Sequence, residues 1–313
     1  MINRRNIRTK VLQAVFAMHL SHADNLPQQQ KQLFLSFDNI YKLYMLLLLL
    51  LLALKKKALA EINIGLNKNF PSDTDLNPNY KFVNNAIFKI LEDNSALRDY
   101  KKRHKLNKWD LDKELVSIVW QKIKTGKLNR FYMDDKTSSF MDDKNYILDL
   151  YKNHIAPEIK LHESFEADES HWADDIAIAN TLVMKTITAF KEVNGAADLP
   201  TLFKDEIDRE FAKDLFLKTV LNDAKLNALL EGKTPNWSFD RISEIDKLIM
   251  KMALVEFLHF PSIPATVSIN EYVEIAKEYS TPKSNVFING VLHNLYNDLN
   301  EKGEIKKNIR GRS

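Results

Sequence analysis

The chain has 313 residues, a formal net charge of +3, no cysteine, 7 glycines and 9 prolines. Without cysteine it forms no disulfide and carries no thiolate nucleophile or thiolate metal ligand, a composition compatible with a reducing compartment. Scarce glycine argues against the turns of a β-architecture and predicts an all-α fold, and the small net charge means that a polyanionic partner would need a local basic cluster.

Such a cluster begins the chain. Arg4, Arg5, Arg8 and Lys10 occur with no acid among them, and a helix would place Arg4 and Arg8 on one face. Guanidinium groups bind phosphate bidentately, so this helix would suit a polyanion. On charge alone, a solvated and frayed terminus is the more typical interpretation.

The same segment has an apolar pattern. Ile7, Val11 and Val15, with Leu12 beside them, recur at helical spacing and predict that one face is anchored in a core. A secretory signal peptide is disfavoured because no apolar region follows directly and polar residues interrupt the segment, namely Gln13, His19 and His22.

A leucine-rich run follows at residues 45–54 and is closed by three lysines at 55–57. Counted from Leu43, it is well short of the ~18–20 apolar residues needed to span a bilayer. We predict a helix buried on several faces, with the lysines favourably placed at its C-terminal end. An amphipathic membrane anchor is the weaker alternative because a leucine run has little sidedness. No membrane partner is predicted.

Beyond a turn-rich stretch at residues 69–78, three amphipathic segments are each followed by a tryptophan and a further helical pattern. Trp109, Trp172 and Trp237 lie at nearly equal intervals. This arrangement is compatible with a duplicated helical hairpin and equally with coincidence. In either case, packing in a core or loop is more typical of such tryptophans than ligand binding.

Other candidate chemistry is weak. A second basic run at residues 101–105, with Lys108, is more typical of a solvated helix end than of a supplementary nucleic-acid contact. The eight histidines show no metal-ligand pattern. No glycine-rich phosphate loop or nucleophile elbow is present, so we predict no enzyme activity, no cofactor and no metal site.

Residues 263–292 are the most informative stretch. Apolar residues at helical spacing are interrupted by Ser280-Thr281-Pro282, and Ser284 is predicted to be the N-cap of a final helix that carries Phe287. Gly290 lies inside that helix. Glycine there costs about 1 kcal/mol relative to alanine, which indicates close backbone approach or a partner surface.

These residues resemble the NusB family of bacterial transcription antitermination factors. The C-terminal resemblance is carried by Pro264, Val267, Ile269-Asn270-Glu271, Ala276-Lys277, Ser284 and Phe287-Ile288-Asn289-Gly290-Val291-Leu292, and before them by Phe239-Asp240-Arg241-Ile242, Ile245-Asp246, Ile249-Met250-Lys251-Met252-Ala253 and Glu256-Phe257. The start of the chain is similar to the family's arginine-rich first helix through Arg4-Arg5, Arg8, Gln13-Ala14 and Phe16. The middle of the chain is not covered.

The resemblance implies a helical bundle in four sequence parts. Residues 1–25 would be the NusB-like first helix, 26–198 a helical insertion, 199–300 the NusB-like C-terminal core and 301–313 a basic tail. Both ends carry motifs of one family, and neither alone has enough apolar surface for a stable core. We therefore expect the first helix to pack against the region from Trp237 to Leu292.

The resemblance also implies a non-catalytic, cytoplasmic role. The expected function is transcription antitermination, by binding the boxA element of rRNA leader transcripts together with the small-subunit ribosomal protein NusE and the transcription elongation machinery. NusB-like domains also occur fused to rRNA cytosine methyltransferases, but those need a glycine-rich cofactor loop and catalytic cysteines that this chain lacks.

Site residues follow from the same motifs. Single-stranded RNA is held by phosphate contacts and base stacking, and the RNA contacts would be made by Arg4, Arg5, Arg8, Ser284 and Phe287. Phe16 and Asp246 match the family's partner-binding aromatic and acid. Departures from the family pattern are Ile7 and Thr9 within the arginine motif, Lys283, and Ser280 where glycine is common. The alternative is a helical-repeat interaction scaffold in which the insertion does the binding and RNA is secondary.

Overall fold

The structure is a computed structural model, and it describes residues 1–135, 137–192, 198–231 and 241–308. Within these residues it is helical and contains no strand, which confirms the all-α prediction. The helices are α1 (Arg4–Ser21), α2 (Leu26–Leu66), α3 (Asp73–Leu76), α4 (Ala86–Asp93), α5 (Ser95–Arg103), α6 (Lys108–Leu111), α7 (Lys113–Thr125), α8 (Lys127–Asp134), α9 (Phe140–Leu150), a π-helical turn (Tyr151–Ile155), α10 (Ile159–Asp168), α11 (Trp172–Ala189), α12 (Glu206–Leu221), α13 (Asp223–Glu231), α14 (Glu244–His259), α15 (Ala265–Tyr279) and α16 (Ser284–Glu301).

The chain divides into two compact units. The terminal unit comprises Ile2–Phe37 and Phe203–Ser313, and the inserted unit comprises Met1 and Asp38–Leu202. Helix α2 therefore begins in the terminal unit and ends in the inserted unit. The structural boundaries at Phe37 and Phe203 differ from the sequence-based limits of 26 and 198 because the first twelve residues of α2 belong with the terminal helices.

In the terminal unit, α1 packs against α12, α14 and α15, and α15 packs against α14 and α16. The predicted apolar face of α1 is the one that makes these contacts, since Ile7 and Val11 are fully buried and Val15 is 5% exposed. The expected packing of the first helix against the C-terminal helices is confirmed. Some two hundred residues of chain separate them in sequence.

The leucine-rich run lies in the inserted unit. It forms the middle of α2, a helix of 41 residues, and Leu46, Leu48 and Leu50 are each 3% exposed or less. Burial on every face of this segment confirms the predicted buried helix. Within the described ranges, no helix is both long enough and apolar enough to cross a membrane.

The tryptophans of the inserted unit are core residues. The indole N–H of Trp109 donates to the carbonyl of Leu46 at 2.7 Å and that of Trp172 to the carbonyl of Asn39 at 3.1 Å, two α2 positions two turns apart. Both rings meet Phe165 edge-on at 5.8 Å between centroids. Trp237 lies outside the described residues, so the three-fold repeat stays a prediction.

Several amphipathic runs are shorter helices than the sequence pattern suggested. The first of the three amphipathic segments, which starts at residue 82, breaks at Asn94. Asn94 ends α4, and its side chain accepts the backbone N–H of Leu97 at the start of α5. Pro157, which has no backbone N–H, lies between the π-helical turn and α10. Asn222 separates α12 from α13. Local capping chemistry at these positions interrupts the helical periodicity.

Candidate nucleic-acid interface

Helix α1 begins with a reciprocal cap. The Asn3 side chain accepts the backbone N–H of Asn6 at 2.8 Å, and the Asn6 side chain accepts that of Asn3 at 3.2 Å. This capping box satisfies two of the backbone donors that a helix start leaves unpaired. It fixes the first turn, and Arg4 and Arg5 therefore project from a defined backbone.

Arg4 and Arg5 lie half-exposed, each against a carboxylate of another helix. The Arg4 Nε donates to Asp208 Oδ1 of α12 at 2.9 Å, with 38% of the arginine side chain exposed. Arg5 binds Glu271 of α15 through Nε and Nη2, at 3.0 and 2.9 Å, with 40% exposed. The hydrogen bond to Glu271 is the largest contribution that raises the pKa of Arg5. Both guanidiniums are charged, oriented and reachable from solvent.

Arg8 lies in a different environment from the other two. Its side chain is 3% exposed, and its Nε and Nη2 donate to Glu256 of α14 at 2.6 and 3.0 Å. Burial opposes the charged guanidinium, but the Glu256 carboxylate more than offsets burial and raises the pKa of Arg8. In this conformation its donors point into the core rather than toward solvent.

Glu256 connects the core of the terminal unit. Besides Arg8, it accepts the hydroxyls of Ser268 at 2.7 Å and Tyr272 at 2.9 Å, both from α15. Burial and the carboxylate of Glu256 raise the pKa of Tyr272 well above its usual value, so this phenol remains a donor. One fully buried carboxylate therefore joins α1, α14 and α15.

Asp246 lies in a second polar cluster, at the turn between α15 and α16. It is 6% exposed and accepts the hydroxyls of Ser280 and Ser284, the latter at 2.9 Å. Ser280 has an extended backbone, with φ near −127°, so this position does not require glycine. Its hydroxyl instead contributes a hydrogen bond to the acid.

The start of α16 differs in one detail from the sequence prediction. Lys283 is the N-cap and makes no side-chain cap hydrogen bond, whereas Ser284 is the first helical residue. The Ser284 hydroxyl is used by Asp246 and Thr281, the latter at 2.8 Å, so it does not cap the helix. The N-cap prediction for Ser284 was wrong by one residue because a buried carboxylate competes for its hydroxyl.

An exposed face of α16 begins immediately after this turn. Phe287 is half-buried, Val286 is 73% exposed and Gly290 is exposed. A Cβ added at Gly290 would meet no atom within 4 Å. Close backbone approach within the chain therefore does not explain this glycine, which leaves a partner surface as the remaining sequence-based interpretation.

Helices α1 and α15 run side by side in the same direction. Arg5 contacts Glu271, and Gln13 donates to the hydroxyl of Tyr279 at 3.2 Å. The second contact lies eight residues after the first in both helices, so the two helices are parallel. Eight helical residues span about 12 Å. The arginines therefore lie at one end of this pair, and the turn that holds Ser284 lies at the other end, more than about 12 Å away.

Phe16 lies at the turn end of α1 and is half-buried. One helical turn further on, His19 Nε2 is 3.2 Å from Glu244 Oε2, in the first turn of α14 that also contains Asp246. The two sequence-predicted partner residues, Phe16 and Asp246, thus belong to the same end of the terminal unit. Ser284 belongs with them rather than with the arginines.

The three acids that hold the arginines, Asp208, Glu256 and Glu271, were not predicted to be their partners, although Glu256 and Glu271 are among the residues that carry the family resemblance. A signal for one pairing was present: Arg8, Val11, Leu12 and Val15 stand at i, i+3, i+4 and i+7, so Arg8 lies within the apolar stripe. A charged residue inside such a stripe needs a buried partner of opposite charge. No comparable pattern identifies Asp208 or Glu271.

The fold and this site define an all-α bundle closed by an arginine-bearing first helix. Comparison with known proteins specifies it further: the sequence model of the NusB family matches residues 177–297, which begin inside α11 and end within α16. The chain belongs to the NusB family. Helix α1 lies outside the matched range, although it packs into the same unit as α12–α16.

Three relatives carry the name transcription antitermination protein NusB. The protein of Salinibacter ruber is 37% identical over 140 residues, covering 42% of this chain and 88% of that protein. The protein of Chloroherpeton thalassium is 39% identical over 104 residues, covering 32% of this chain and 49% of that protein. The protein of Natranaerobius thermophilus is 37% identical over 110 residues, covering 34% and 79%. No solved structure matches the chain.

Proposed function

We propose that this protein is a transcription antitermination factor that binds boxA-type single-stranded RNA of rRNA leader transcripts together with NusE. It would act in the cytoplasm by binding rather than by catalysis, as part of the transcription elongation machinery. Support comes from membership of the NusB family and from the name of its relatives, transcription antitermination protein NusB. The terminal unit, including α1, would be the functional NusB-like core.

The observation that carries the proposal is the placement of Arg4 and Arg5. Both guanidiniums lie on the first turn of α1 and are half-exposed, and each pairs with a carboxylate of a neighbouring helix, Asp208 or Glu271. A phosphate, like a carboxylate, can present two acceptor oxygens to one guanidinium, as Glu271 does to Arg5. RNA phosphates would therefore replace or join Asp208 and Glu271 without rearrangement of the backbone.

Arg8 would contribute to RNA binding by positioning α1. A direct phosphate contact from Arg8 would require its guanidinium to leave Glu256, and breaking a buried pair is costly. Through Glu256, Arg8 ties α1 to α14 and α15. It thereby keeps Arg4 and Arg5 oriented, and we assign the direct contacts to those two residues.

The other end of the terminal unit would serve the partner protein and the far end of the RNA. Phe287 is half-buried, which leaves part of its ring open for a base to stack on. Asp246 and Ser284 hold the turn before α16 in place. Phe16, on the neighbouring end of α1, would dock NusE together with this turn. The separation of the two ends suits contacts to successive nucleotides of an extended strand.

Binding of labelled boxA RNA, measured against a scrambled RNA of the same composition with and without NusE, tests the proposal. We expect tighter binding to boxA than to the scrambled RNA, and a further gain in affinity when NusE is present. Equal affinity for the two RNAs, unchanged by NusE, would contradict it. In that case the alternative scaffold role of the inserted unit becomes the better explanation.

A further inference from the structure

A cavity in the inserted unit lies between five helices. It has a volume of about 470 Å³ and is lined by residues of α2, α4, α5, α6 and α7, together with Leu106 from the loop between α5 and α6. Small-molecule pockets in proteins span roughly 300–1,000 Å³. The cavity is therefore large enough for a ligand with a substantial apolar portion.

The floor of the cavity is apolar. Six buried side chains form it, each at most 8% exposed: Leu49, Leu91, Leu97, Leu106, Trp109 and Val116. The only polar atom of these side chains, the indole N–H of Trp109, is already donated to the carbonyl of Leu46. The floor thus offers contact area without a free hydrogen-bonding group, which suits a hydrocarbon chain rather than a sugar or a nucleobase.

The rim of the cavity is basic. Five cations border it, Lys56 and Lys57 from α2, Arg98 and Lys101 from α5, and Lys113 from α7, against two carboxylates, Glu92 and Asp110. This excess of positive charge comes from three different helices and surrounds the opening to the apolar floor. A negatively charged head group at the mouth would complement it.

The carboxylate of Asp110 does not neutralise the rim cations. Asp110 is shared between Lys56 at 3.5 Å and Lys101 at 3.7 Å, both long for an ion pair with hydrogen bonding. Arg98 donates one Nη1 bond to the carbonyl of Glu92, and Lys57 lies 3.8 Å from Glu61. Each cation keeps donors that remain available to an anion.

We propose that this cavity is a binding site for a free anionic amphiphile, with its hydrocarbon chain on the floor and a carboxylate or phosphate head group at the rim cations. The occupant is a single molecule from solution, because a volume of about 470 Å³ is that of a pocket for one small ligand. The site shares no residue with the proposed RNA contacts, because every lining residue belongs to the inserted unit whereas those contacts belong to the terminal unit.

Calorimetric titration of the full chain with octanoate, decanoate and dodecanoate, each below its micelle-forming concentration, tests the proposal. Burying one more methylene improves the binding free energy by about 0.8 kcal/mol, so the affinity should rise about fourfold per methylene. Decanoate should bind more tightly than 1-decanol, which has the same chain without the charge. Decyl phosphate in parallel identifies the preferred head group.

Matched variants locate the site. Ala53→Phe should fill the cavity and abolish saturable binding, while Lys101→Gln and Arg98→Gln should each weaken decanoate binding by about two- to fivefold, as expected for an exposed ion pair. Lys102→Gln removes an equal charge from an exposed position of α5 next to Lys101, but Lys102 does not line this cavity, so this variant should leave the affinity unchanged. A thermal melt of each variant shows that the chain is folded.

Three outcomes would overturn the proposal: no saturable heat from any of the acids, affinity that is independent of chain length, or unchanged binding by folded Ala53→Phe. Flotation with phosphatidylglycerol vesicles separates the free molecule from a membrane source. Capture by these vesicles without binding of monomeric decanoate would also overturn it.

Discussion

Glu256 is completely buried and accepts hydrogen bonds from Arg8, Ser268 and Tyr272. Ser268 and Tyr272 donate to different oxygens of the carboxylate, so glutamine keeps an acceptor for only one of the two hydroxyls. It also leaves the buried Arg8 charge with only the longer contact to Glu271, at 3.6 Å. We expect Glu256→Gln to lower the free energy of unfolding by about 3–5 kcal/mol, the cost of breaking a buried pair. Urea denaturation measures the loss.

Two further variants test the origin of that loss. Arg8→Met combined with Glu256→Gln removes the unpaired charge and should recover most of the stability. Glu271→Gln removes a carboxylate that is 21% exposed and lies farther from Arg8, at 3.6 Å, and it should cost clearly less than Glu256→Gln. If Glu256→Gln alone is as stable as the original chain, the buried pair does not hold α1 in place.

Lys307, in the basic tail, donates to the backbone carbonyls of Glu256 and Phe260 at 2.9 and 3.0 Å and so docks this part of the tail on the terminal unit. Burial lowers the pKa of Lys307 to about 8 in the folded chain, against 10.5 as its usual value. Below pH 8 both states bind the proton and the cost of burial is fully present. Between these two pKa values the unfolded chain binds a proton that the folded chain has lost, so stability rises with pH.

We therefore expect the stability of the original chain, relative to Lys307→Met, to increase between about pH 8 and pH 10.5. Urea denaturation at several pH values measures the difference, in which contributions from other titrating groups cancel. Lys306→Gln changes an exposed neighbour and should show no such trend. A difference that falls with pH would contradict the assignment.

At the scale of single residues, the sequence predicted which face of α1 is buried but not which of its guanidiniums reach solvent. The charges of Arg4, Arg5 and Arg8 look alike in sequence, yet their exposures differ because only Arg8 lies in the apolar stripe. Pairing with Asp208 or Glu271 depends on how distant helices pack. Such contacts between residues far apart in sequence have no local pattern.

At the scale of elements, α1 is the helix on which the proposed RNA contact depends. Replacing Arg4 and Arg5 together by glutamine removes two phosphate contacts. Because each contact on a single strand contributes about −0.7 to the log–log salt dependence, the slope for boxA RNA should decrease in magnitude by about 1.4. Fluorescence titrations at several salt concentrations measure this slope.

The same double variant should melt close to the original temperature because half-exposed ion pairs contribute little to stability. Phe287→Ala is the contrasting change: it should lower the affinity with little change in slope, since stacking releases no counter-ions. An unchanged slope in a folded Arg4/Arg5 variant would place the RNA on another surface, and the basic run at residues 101–105 would be tested next.

The sequence predicted which helices are present better than it predicted how long each helix is. The helix–turn–helix order of α15 and α16 follows from apolar periodicity and from Pro282, which lies in the turn between them. The leucine run predicted a buried helix, but not that α2 extends to 41 residues. Its interior contains no glycine before Gly65 and no proline after Pro27, and the absence of these stop signals becomes apparent only once both flanks are known to be helical.

At the scale of the whole molecule, family motifs at both ends of the sequence predicted that the first helix joins the C-terminal helices, and the structure confirms this packing. The exact limits of the insertion were not predictable. Phe37 and Phe203 pack edge-on with centroids 4.9 Å apart, and this contact assigns the start of α2 to the terminal unit. Nothing local in the sequence distinguishes residue 37 from the rest of α2.

This contact leads to a prediction about the complete chain. Since Phe37 and Phe203 lie side by side within the terminal unit, a linker of about four residues, which spans up to roughly 13 Å, should join them when residues 38–202 are deleted. The shortened chain retains α1, the first turns of α2 with the buried Leu33, and α12–α16. We expect it to unfold cooperatively and to bind boxA RNA within a few-fold of the full chain, because Arg4 and Arg5 keep their partners Asp208 and Glu271.

Circular dichroism and RNA titration measure the two properties, with the Arg4→Gln, Arg5→Gln form of the same short chain as the control. A folded short chain that has lost boxA binding, beside a full chain that retains it, would assign RNA recognition to the inserted unit instead.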